Sequence, residues 1–205
     1  MDEYPAHLAR EHRLADGRRI AIRPIRPDDE PGERRFFDCL SPASKNARFM
    51  KRLEAINDQL IRFFTHIDYD RHMAFVCEHD GRLVGEARYL ANPGGASCEF
   101  GVVVADDWRK LGIGALLMDA LLRAARERGF ATMEGLVLRT NRPMLRFVRA
   151  LGFDTEAEPC EPTMVRVVKR LRGAPDYTAS AKSTRNSSGQ RLPRCLSTGR
   201  PKPGE

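Results

Sequence analysis

The stretch Arg109-Lys110-Leu111-Gly112-Ile113-Gly114 is the most informative part of the sequence. It follows the apolar run Val102-Val103-Val104 and precedes a segment in which Leu117, Leu121 and Ala124 recur at helical spacing. The sequence therefore predicts a strand, then a loop with two glycines, then an amphipathic helix.

This glycine loop has the properties of an anion-binding site. The first turn of a helix leaves backbone N–H groups unpaired, and the helix dipole adds positive potential there. Gly112 and Gly114 let the backbone approach a pyrophosphate closely, while Arg109 and Lys110 add positive charge. The alternative is an ordinary strand-to-helix turn. The sequence contains no G-x-x-x-x-G-K-[ST] P-loop. The three-glycine dinucleotide motif is also absent, because Leu117 stands where its last glycine would be.

Composition indicates one globular domain followed by a polar segment. The chain has 205 residues, of which 41% are hydrophobic, enough to form a core without disulfides. We expect a domain over residues 1–173 and a disordered basic tail over residues 174–205, which are rich in Ser, Thr, Pro, Gly and Arg. From residue 172 onward the chain has seven basic and two acidic residues, so most of the net charge of +7 lies there. We therefore expect no nucleic-acid partner.

Cysteine usage and hydropathy predict a cytoplasmic protein. The five cysteines are scattered singly, which favours reduced thiols over a disulfide framework or a zinc site, and we expect no metal. The first residues do not have the pattern of a secretion signal. The apolar runs are much shorter than the roughly 20 residues that cross a bilayer, so we expect no membrane partner.

Strands and helices alternate along the rest of the domain. The periodicity predicts a mainly helical region from about Pro42 to Phe64 and a helix from Pro143 to Leu151. Asp80-Gly81 between apolar runs indicates a hairpin. Strands are predicted at residues 18–25, 73–77, 83–89, 98–104, 133–138 and 164–168, which together form a mixed α/β sheet.

Two landmarks resemble those of the GNAT superfamily of N-acetyltransferases. Val102-Val103-Val104, followed by R-x-x-G-x-G from Arg109, resembles its signature motif. Asn141, followed by a helix ending in Leu151-Gly152-Phe153, resembles its second landmark. The resemblance implies an α/β (α+β) GNAT fold. Its central sheet is mixed and mostly antiparallel, splayed at the cofactor site and flanked by helices on both faces.

The resemblance extends over about residues 4–170 and is closest to the GNAT domain of bacterial Pat-type protein lysine acetyltransferases. It is carried by Ile22-Arg23-Pro24-Ile25-Arg26-Pro27-Asp28-Asp29, by Leu40-Ser41-Pro42 with Arg48-Phe49, and by residues 67–74.

The same resemblance implies a site for acetyl-CoA, the cosubstrate. Val102, Val103 and Val104 would pair with the pantetheine arm. Asn141 would lie near the pantetheine or the thioester; simple capping of the next helix is the alternative. The pyrophosphate would lie beside Arg109, on the backbone N–H groups of Lys110, Leu111, Gly112, Ile113 and Gly114.

Acetyl transfer to a lysine needs a general base. The amine has a pKa of about 10.4, so only about one molecule in 2,500 is neutral at pH 7. Glu99 is the candidate, because it matches the glutamate of the Glu-Phe pair in Pat-type domains; the alternative is a solvated carboxylate. Glu86 is the reserve candidate, with a surface residue beside Arg88 as the alternative.

No side chain is assigned as the general acid. Val148 stands where many GNAT enzymes have a tyrosine that protonates the departing thiolate. A thiol has a pKa of about 8.5, so solvent can protonate the leaving group. We expect Asp68-Tyr69-Asp70-Arg71-His72 to form a turn with capping groups, and Arg48 with Phe49 to serve the fold or a substrate channel.

The resemblance implies an acetyl-CoA-dependent N-acetyltransferase that acts on lysine side chains of proteins such as acyl-CoA synthetases. Two alternatives remain open. The acceptor would be a small amine in the first, and the chain would be a non-catalytic acyl-CoA-binding regulatory module in the second.

Overall fold

The computed structural model describes residues 3–50, 56–159 and 161–171, which fold around one eight-stranded sheet. The five α-helices are α1 (Glu30–Cys39), α2 (Pro42–Phe49), α3 (Asp58–Thr65), α4 (Ile113–Glu127) and α5 (Arg142–Ala150). The strands are β1 (Arg10–Arg13), β2 (Arg19–Pro24), β3 (His72–His79), β4 (Arg82–Ala91), β5 (Ser97–Val104), β6 (Thr132–Leu138), β7 (Asp154–Ala157) and β8 (Met164–Arg170). The tail over residues 174–205 lies outside the described residues, so its disorder and the domain boundary at 173 stay predictions.

The sheet is mixed and mostly antiparallel, as predicted. Its strand order is β1-β2-β3-β4-β5-β6-β8-β7, and only the β5–β6 neighbours run parallel. The β5–β6 ladder is short: it joins Ser97 to Thr132, Cys98 to Met133 and Glu99 to Glu134. Beyond this ladder β5 continues to Val104 and β6 to Leu138. The sheet therefore opens between β5 and β6 directly after Glu99.

Helices cover both faces of the sheet. On one face α4 packs on β4, where a Cβ at Gly85 would lie 3.0 Å from Leu117. On the other face α1 and α2 meet the sheet, since Glu33 pairs with Arg88 and Arg48 lies against Gly101. β4 is thus sandwiched between two helical layers, which explains why nearly all of its residues are buried.

α4 forms as its sequence predicts. Leu117, Leu121 and Ala124 are buried along one face of the helix. Gly129 follows the helix with a φ of 78°, a left-handed conformation that suits glycine at a helix C-terminus. Within the described ranges, the structure has no helix long and apolar enough to span a membrane.

Two local predictions need correction. The helical region predicted from Pro42 to Phe64 is interrupted. α2 ends at Phe49 and is followed by Met50, whose φ is 56°. Asn57 caps α3 by accepting the backbone N–H of Leu60 at 2.8 Å. The strands β1 and β7 were not predicted, because their sequences, REHR and DTEA, lack the apolar alternation of a half-buried strand. Both strands lie at sheet edges, where one neighbouring strand suffices.

Candidate active site

The glycine loop connects the end of β5 to the first turn of α4. A short 3-10 turn, Asp106–Trp108, leads into Arg109, and Gly112 directly precedes the helix. Lys110 and Gly112 have φ values of 63° and 85°, so the chain turns twice through the left-handed region. The first turn of α4 contains no acidic residue. Its free N–H groups therefore present positive potential beside the opening of the sheet.

The guanidinium of Arg109 ties this loop to neighbouring elements. Its Nη1 lies 3.1 Å from Oδ1 of Asp106, and its Nη2 donates to the hydroxyl of Ser44 at 2.7 Å. Its Nε donates to the carbonyl oxygen of Val104 at 3.4 Å. Arg109 thus lies between β5, the loop and the start of α2, and its contact with a pyrophosphate stays a prediction.

The edge of β5 leads from the loop back to Glu99. Val103 is buried, and Val102 and Val104 are half-buried. Because the ladder with β6 stops at Glu99, the β6-facing edge of this part of β5 lies outside the ladder. Backbone groups on such an edge can pair with an added extended chain. The pairing of pantetheine with Val102, Val103 and Val104 stays a prediction.

Asn141 caps α5 on the far side of the opening. Its side-chain oxygen accepts the backbone N–H of Met144 at 3.2 Å, a cap that is compatible with Asn141 acting as a cap alone and with Asn141 also contacting the cofactor. α5 is also close to the loop: a Cβ at Gly114 would lie 3.4 Å from the ring of Phe147. A contact of Asn141 with a cofactor stays a prediction.

Glu99 lies at the point where the sheet opens. Its side chain is exposed to solvent, and its register partner on β6 is Glu134. The surrounding protein atoms raise the pKa of the Glu99 carboxyl, and the charge of Glu134 raises it further, whereas the charge of Arg48 lowers it. A carboxylate with a raised pKa accepts a proton more readily near neutral pH, as a general base must.

The sheet face below α1, α2 and α3 contains five charged or titratable side chains that we call the buried charge cluster: Glu33, Arg48, His72, Glu86 and Arg88. Arg88 donates from Nε to Glu86 and from Nη1 to Nε2 of His72, the latter at 2.9 Å. Nη2 of Arg88 lies 3.5 Å from Oε1 of Glu33. Arg48 approaches the same oxygen of Glu86 that Arg88 contacts, at 3.8 Å. Two guanidinium groups therefore share one carboxylate.

The protonation states in this cluster differ. Burial raises the pKa of Glu33 well above its usual range, and the charge of Glu86 adds to this effect. Burial acts the same way on Glu86, but the charges of Arg88 and Arg48, with hydrogen bonds, lower its pKa to about 2. Burial and the charge of Arg88 lower the pKa of His72 to about 4. At neutral pH Glu86 is therefore ionised and His72 is neutral, while the raised pKa of Glu33 disfavours its ionised form.

The interpretation of Glu86 as a surface residue was wrong. Glu86 is fully buried because helices cover both faces of β4. Its ion pairs and low pKa also make it a poor proton acceptor, so the structure does not support it as the reserve base.

The remaining predicted residues have structural roles. Asp68 accepts the backbone N–H groups of Asp70 and His72 at 2.9 and 2.8 Å, as expected for a turn. Val148 is fully buried in α5.

The contact between Arg48 and Gly101 was not predicted from the sequence. Its one signal in the sequence is a glycine in the middle of an apolar strand, which often marks the close approach of another group.

Comparisons with known proteins agree with this geometry. A model of the acetyltransferase (GNAT) family matches residues 35–153. An acetyltransferase of Pseudomonas aeruginosa is 39% identical over 156 residues, which cover 74% of this chain and 84% of that protein.

Solved structures share the fold. The GNAT domain of S. lividans PAT has a TM-score of 0.78 at 26% identity, with 82% of this chain and 100% of that chain covered. The Salmonella typhimurium protein yncA, solved with its cofactor acetyl-CoA, has a TM-score of 0.65 at 19% identity, with 77% and 98% covered.

Proposed function

Because the chain belongs to the acetyltransferase (GNAT) family and is therefore an N-acyltransferase, we propose that it transfers the acetyl group of acetyl-CoA to lysine side chains of proteins such as acyl-CoA synthetases. The observation that carries the proposal is the position of Glu99, a solvent-accessible carboxylate at the opening between β5 and β6. The likeness to the GNAT domain of S. lividans PAT supports the choice of a protein acceptor.

Acetyl-CoA would extend from the glycine loop toward Glu99. The pyrophosphate would be bound by the backbone N–H groups at the start of α4, with Arg109 beside it. The pantetheine arm would run along the edge of β5 from Val104 to Val102. This path brings the thioester into the opening, near Glu99 and Asn141.

In the proposed reaction the base acts before the bond-forming step. Glu99 accepts one proton from the lysine ammonium, and the neutral amine nitrogen then attacks the thioester carbonyl carbon. The C–S bond breaks, the coenzyme A thiolate leaves, and the nitrogen releases its second proton to solvent, which gives the neutral amide. Solvent protonates the thiolate, because α5 has Val148 where a tyrosine would act.

Exposed apolar side chains beside Glu99 support a polypeptide acceptor. Leu90 is the register partner of Glu99 on β4, and His72 is the partner of Leu90 on β3. The ring of Phe63 packs on His72 with centroids 5.0 Å apart. Phe63 and Leu90 are 46% and 36% exposed. This row offers an apolar surface to residues that flank the acceptor lysine.

The test is an acetylation assay with the purified chain, acetyl-CoA and either an acyl-CoA synthetase or a panel of small amines, read by mass spectrometry. We expect acetyl-lysine on the protein and little product from the amines. The opposite preference would contradict a protein acceptor. Binding of acetyl-CoA without any transfer would instead indicate a regulatory module.

The base is tested with Glu99→Gln. We expect kcat/KM to fall about 100-fold while the Kd of acetyl-CoA stays unchanged, because the amide cannot accept the proton. Glu11→Gln is the matched control, since Glu11 is an exposed strand glutamate in β1. Full activity of Glu99→Gln would exclude Glu99 as the base.

A further inference from the structure

We infer that Arg48 is a positioning residue for the transfer reaction: from the space that Gly101 leaves open, its guanidinium holds the Glu99 carboxylate where it can accept a proton. The inference rests on the proposed function, since it takes Glu99 as the base. Arg48 belongs to α2 and is not one of the residues to which the cofactor or the base is assigned above.

Gly101 and Arg48 make an unusually close contact. A Cβ at Gly101 would lie 2.6 Å from both Cζ and Nη1 of Arg48, so a larger side chain would displace this guanidinium. The φ of Gly101 is not in the left-handed region, so the backbone conformation itself does not demand glycine. Glycine at this position leaves the space that the Arg48 guanidinium occupies.

The same contact places Arg48 beside Glu99. Glu99 and Gly101 are two residues apart on β5, so they face the same side of the sheet, about 7 Å apart along the strand. Their register partners on β4, Leu90 and Arg88, also lie on that side. Arg48, which lies against Gly101, is therefore on the same side of the sheet as Glu99, and its positive charge lowers the pKa of Glu99.

Charge balance favours a second carboxylate near Arg48, and Glu99 supplies it. The groups that face Arg48 are Glu33 from α1, Glu86 and Arg88 from β4, and Glu99 from β5. Burial raises the pKa of Glu33, and Arg48 and Arg88 approach the same oxygen of Glu86, so two guanidinium groups compete for one carboxylate. An uncompensated buried charge is costly. The Glu99 carboxylate is the anion that completes the balance.

Hydrogen bonding agrees with this balance. Nε of Arg48 has no hydrogen-bond partner among the described residues, although it is buried. The side chain of Arg48 is only 14% exposed, so its guanidinium is largely shielded from bulk solvent.

The loop that would bind the pyrophosphate also fixes Arg48. Asp106 accepts the backbone N–H of Ser41 at 3.0 Å and the hydroxyl of Ser44 at 2.7 Å. Arg109 donates to the same Ser44 hydroxyl at 2.7 Å. Arg48 is one helical turn after Ser44 in α2. The helix therefore bridges the cofactor loop and the base.

The first experiment compares Arg48→Gln with Arg48→Lys. It records the pH dependence of kcat/KM and, separately, the 13C NMR titration of the Glu99 carboxyl, which is assigned by its absence in Glu99→Gln. Without the adjacent positive charge, Glu99 holds its proton more tightly. For Arg48→Gln we expect the acidic limb and the titration to move to higher pH, with kcat/KM falling about tenfold at pH 6 and about twofold at pH 9. Arg48→Lys should restore most of the shift.

A second variant guards against loss of folding in Arg48→Gln. Gly101→Ala keeps the positive charge but displaces the guanidinium, so we expect both curves to move in the same direction. Gly85→Ala is the matched control. A Cβ there would lie 3.0 Å from Leu117 and 3.3 Å from Ile113 on the opposite face, which crowds the sheet without touching Arg48. Only the positions of the two curves along the pH axis are compared, because contact with Ile113 can alter the affinity for the cofactor. Its two curves should stay in place.

Two outcomes would overturn the inference and are distinguishable. If neither curve moves in Arg48→Gln or Gly101→Ala, Arg48 does not act on Glu99. If the NMR titration moves but the limb of kcat/KM does not, Glu99 is not the base, and Arg48 has no part in the reaction. In that second case Glu99→Gln would also retain activity, which places the failure in the proposed function.

Discussion

Glu99 and Glu134 face each other across the last rung of the parallel ladder between β5 and β6. After the effect of the surrounding protein, the charge of Glu134 is the largest influence on the pKa of Glu99, and it raises it. Glu134 is itself bound by Arg166 and Asn92. Glu99, the proposed base, therefore lies between a negative neighbour on β6 and a positive one on α2, which shift its pKa in opposite directions.

This arrangement predicts the effect of Glu134→Gln. Loss of the negative neighbour lowers the pKa of Glu99, so the deprotonated, active form persists to lower pH. We expect the acidic limb of kcat/KM to move to lower pH and activity at pH 5.5 to rise about twofold. Glu156→Gln is the control, because Glu156 is the register partner of Arg166 but does not face Glu99. A shift to higher pH would contradict the arrangement.

The glycine loop predicts two separate effects of Gly112→Ala. At a φ of 85° a Cβ costs about 1 kcal/mol of unfolding free energy, measured by chemical denaturation. The altered backbone should also weaken acetyl-CoA binding about tenfold by calorimetry. Gly81→Ala, at a φ of 74° in the β3–β4 turn, should lose similar stability with unchanged affinity. Equal affinity of both variants for acetyl-CoA would show that the glycine loop does not bind the cofactor.

The two roles of Asn141 can be separated. Asn141→Ala removes the cap of α5 and should cost about 1 kcal/mol of unfolding free energy. Asn141→Ser keeps a capping oxygen, so its stability should be close to that of the native chain. We expect Asn141→Ser nevertheless to raise the KM for acetyl-CoA about threefold. An unchanged KM would mean that Asn141 only caps the helix.

The apolar row beside Glu99 predicts an acceptor-specific effect. Phe63→Ser removes an exposed aromatic ring that would contact residues flanking the acceptor lysine. We expect the KM for a protein acceptor to rise about fivefold, while the KM for acetyl-CoA stays unchanged. Leu8→Ser, at a half-buried position in the amino-terminal 3-10 turn, serves as the control for loss of an apolar side chain away from this row. An equal loss with a small amine would contradict this acceptor surface.

Three parts of the site could be predicted from short stretches of sequence. The apolar run of β5, the glycine turn before α4 and the cap at Asn141 each follow from propensities of neighbouring residues. The resemblance to the GNAT superfamily rests on the same features.

Other features depend on contacts distant in sequence and were not predictable. Glu86 follows a polar–apolar alternation that suits a surface strand, but helices far away in the chain cover both of its faces. The pairing of Glu99 with Glu134 requires the β5–β6 register, and the contact of Arg48 with Gly101 requires α2 to pack on β5. Periodicity does not encode register or helix placement.

The length of β5 sets the distance between Glu99, the proposed base, and the glycine loop. Five residue steps, about 17 Å, separate Glu99 from Val104, where the strand ends and the chain turns toward the loop. One inserted residue would exchange the two faces of the strand and turn Glu99 or Val103 away from its neighbours. If the cofactor arm pairs with Val102, Val103 and Val104 as proposed, the count of residues in β5 must match the length of that arm. We then expect acceptor preference to change through α1, α2 and α3, while the length of this strand stays constant.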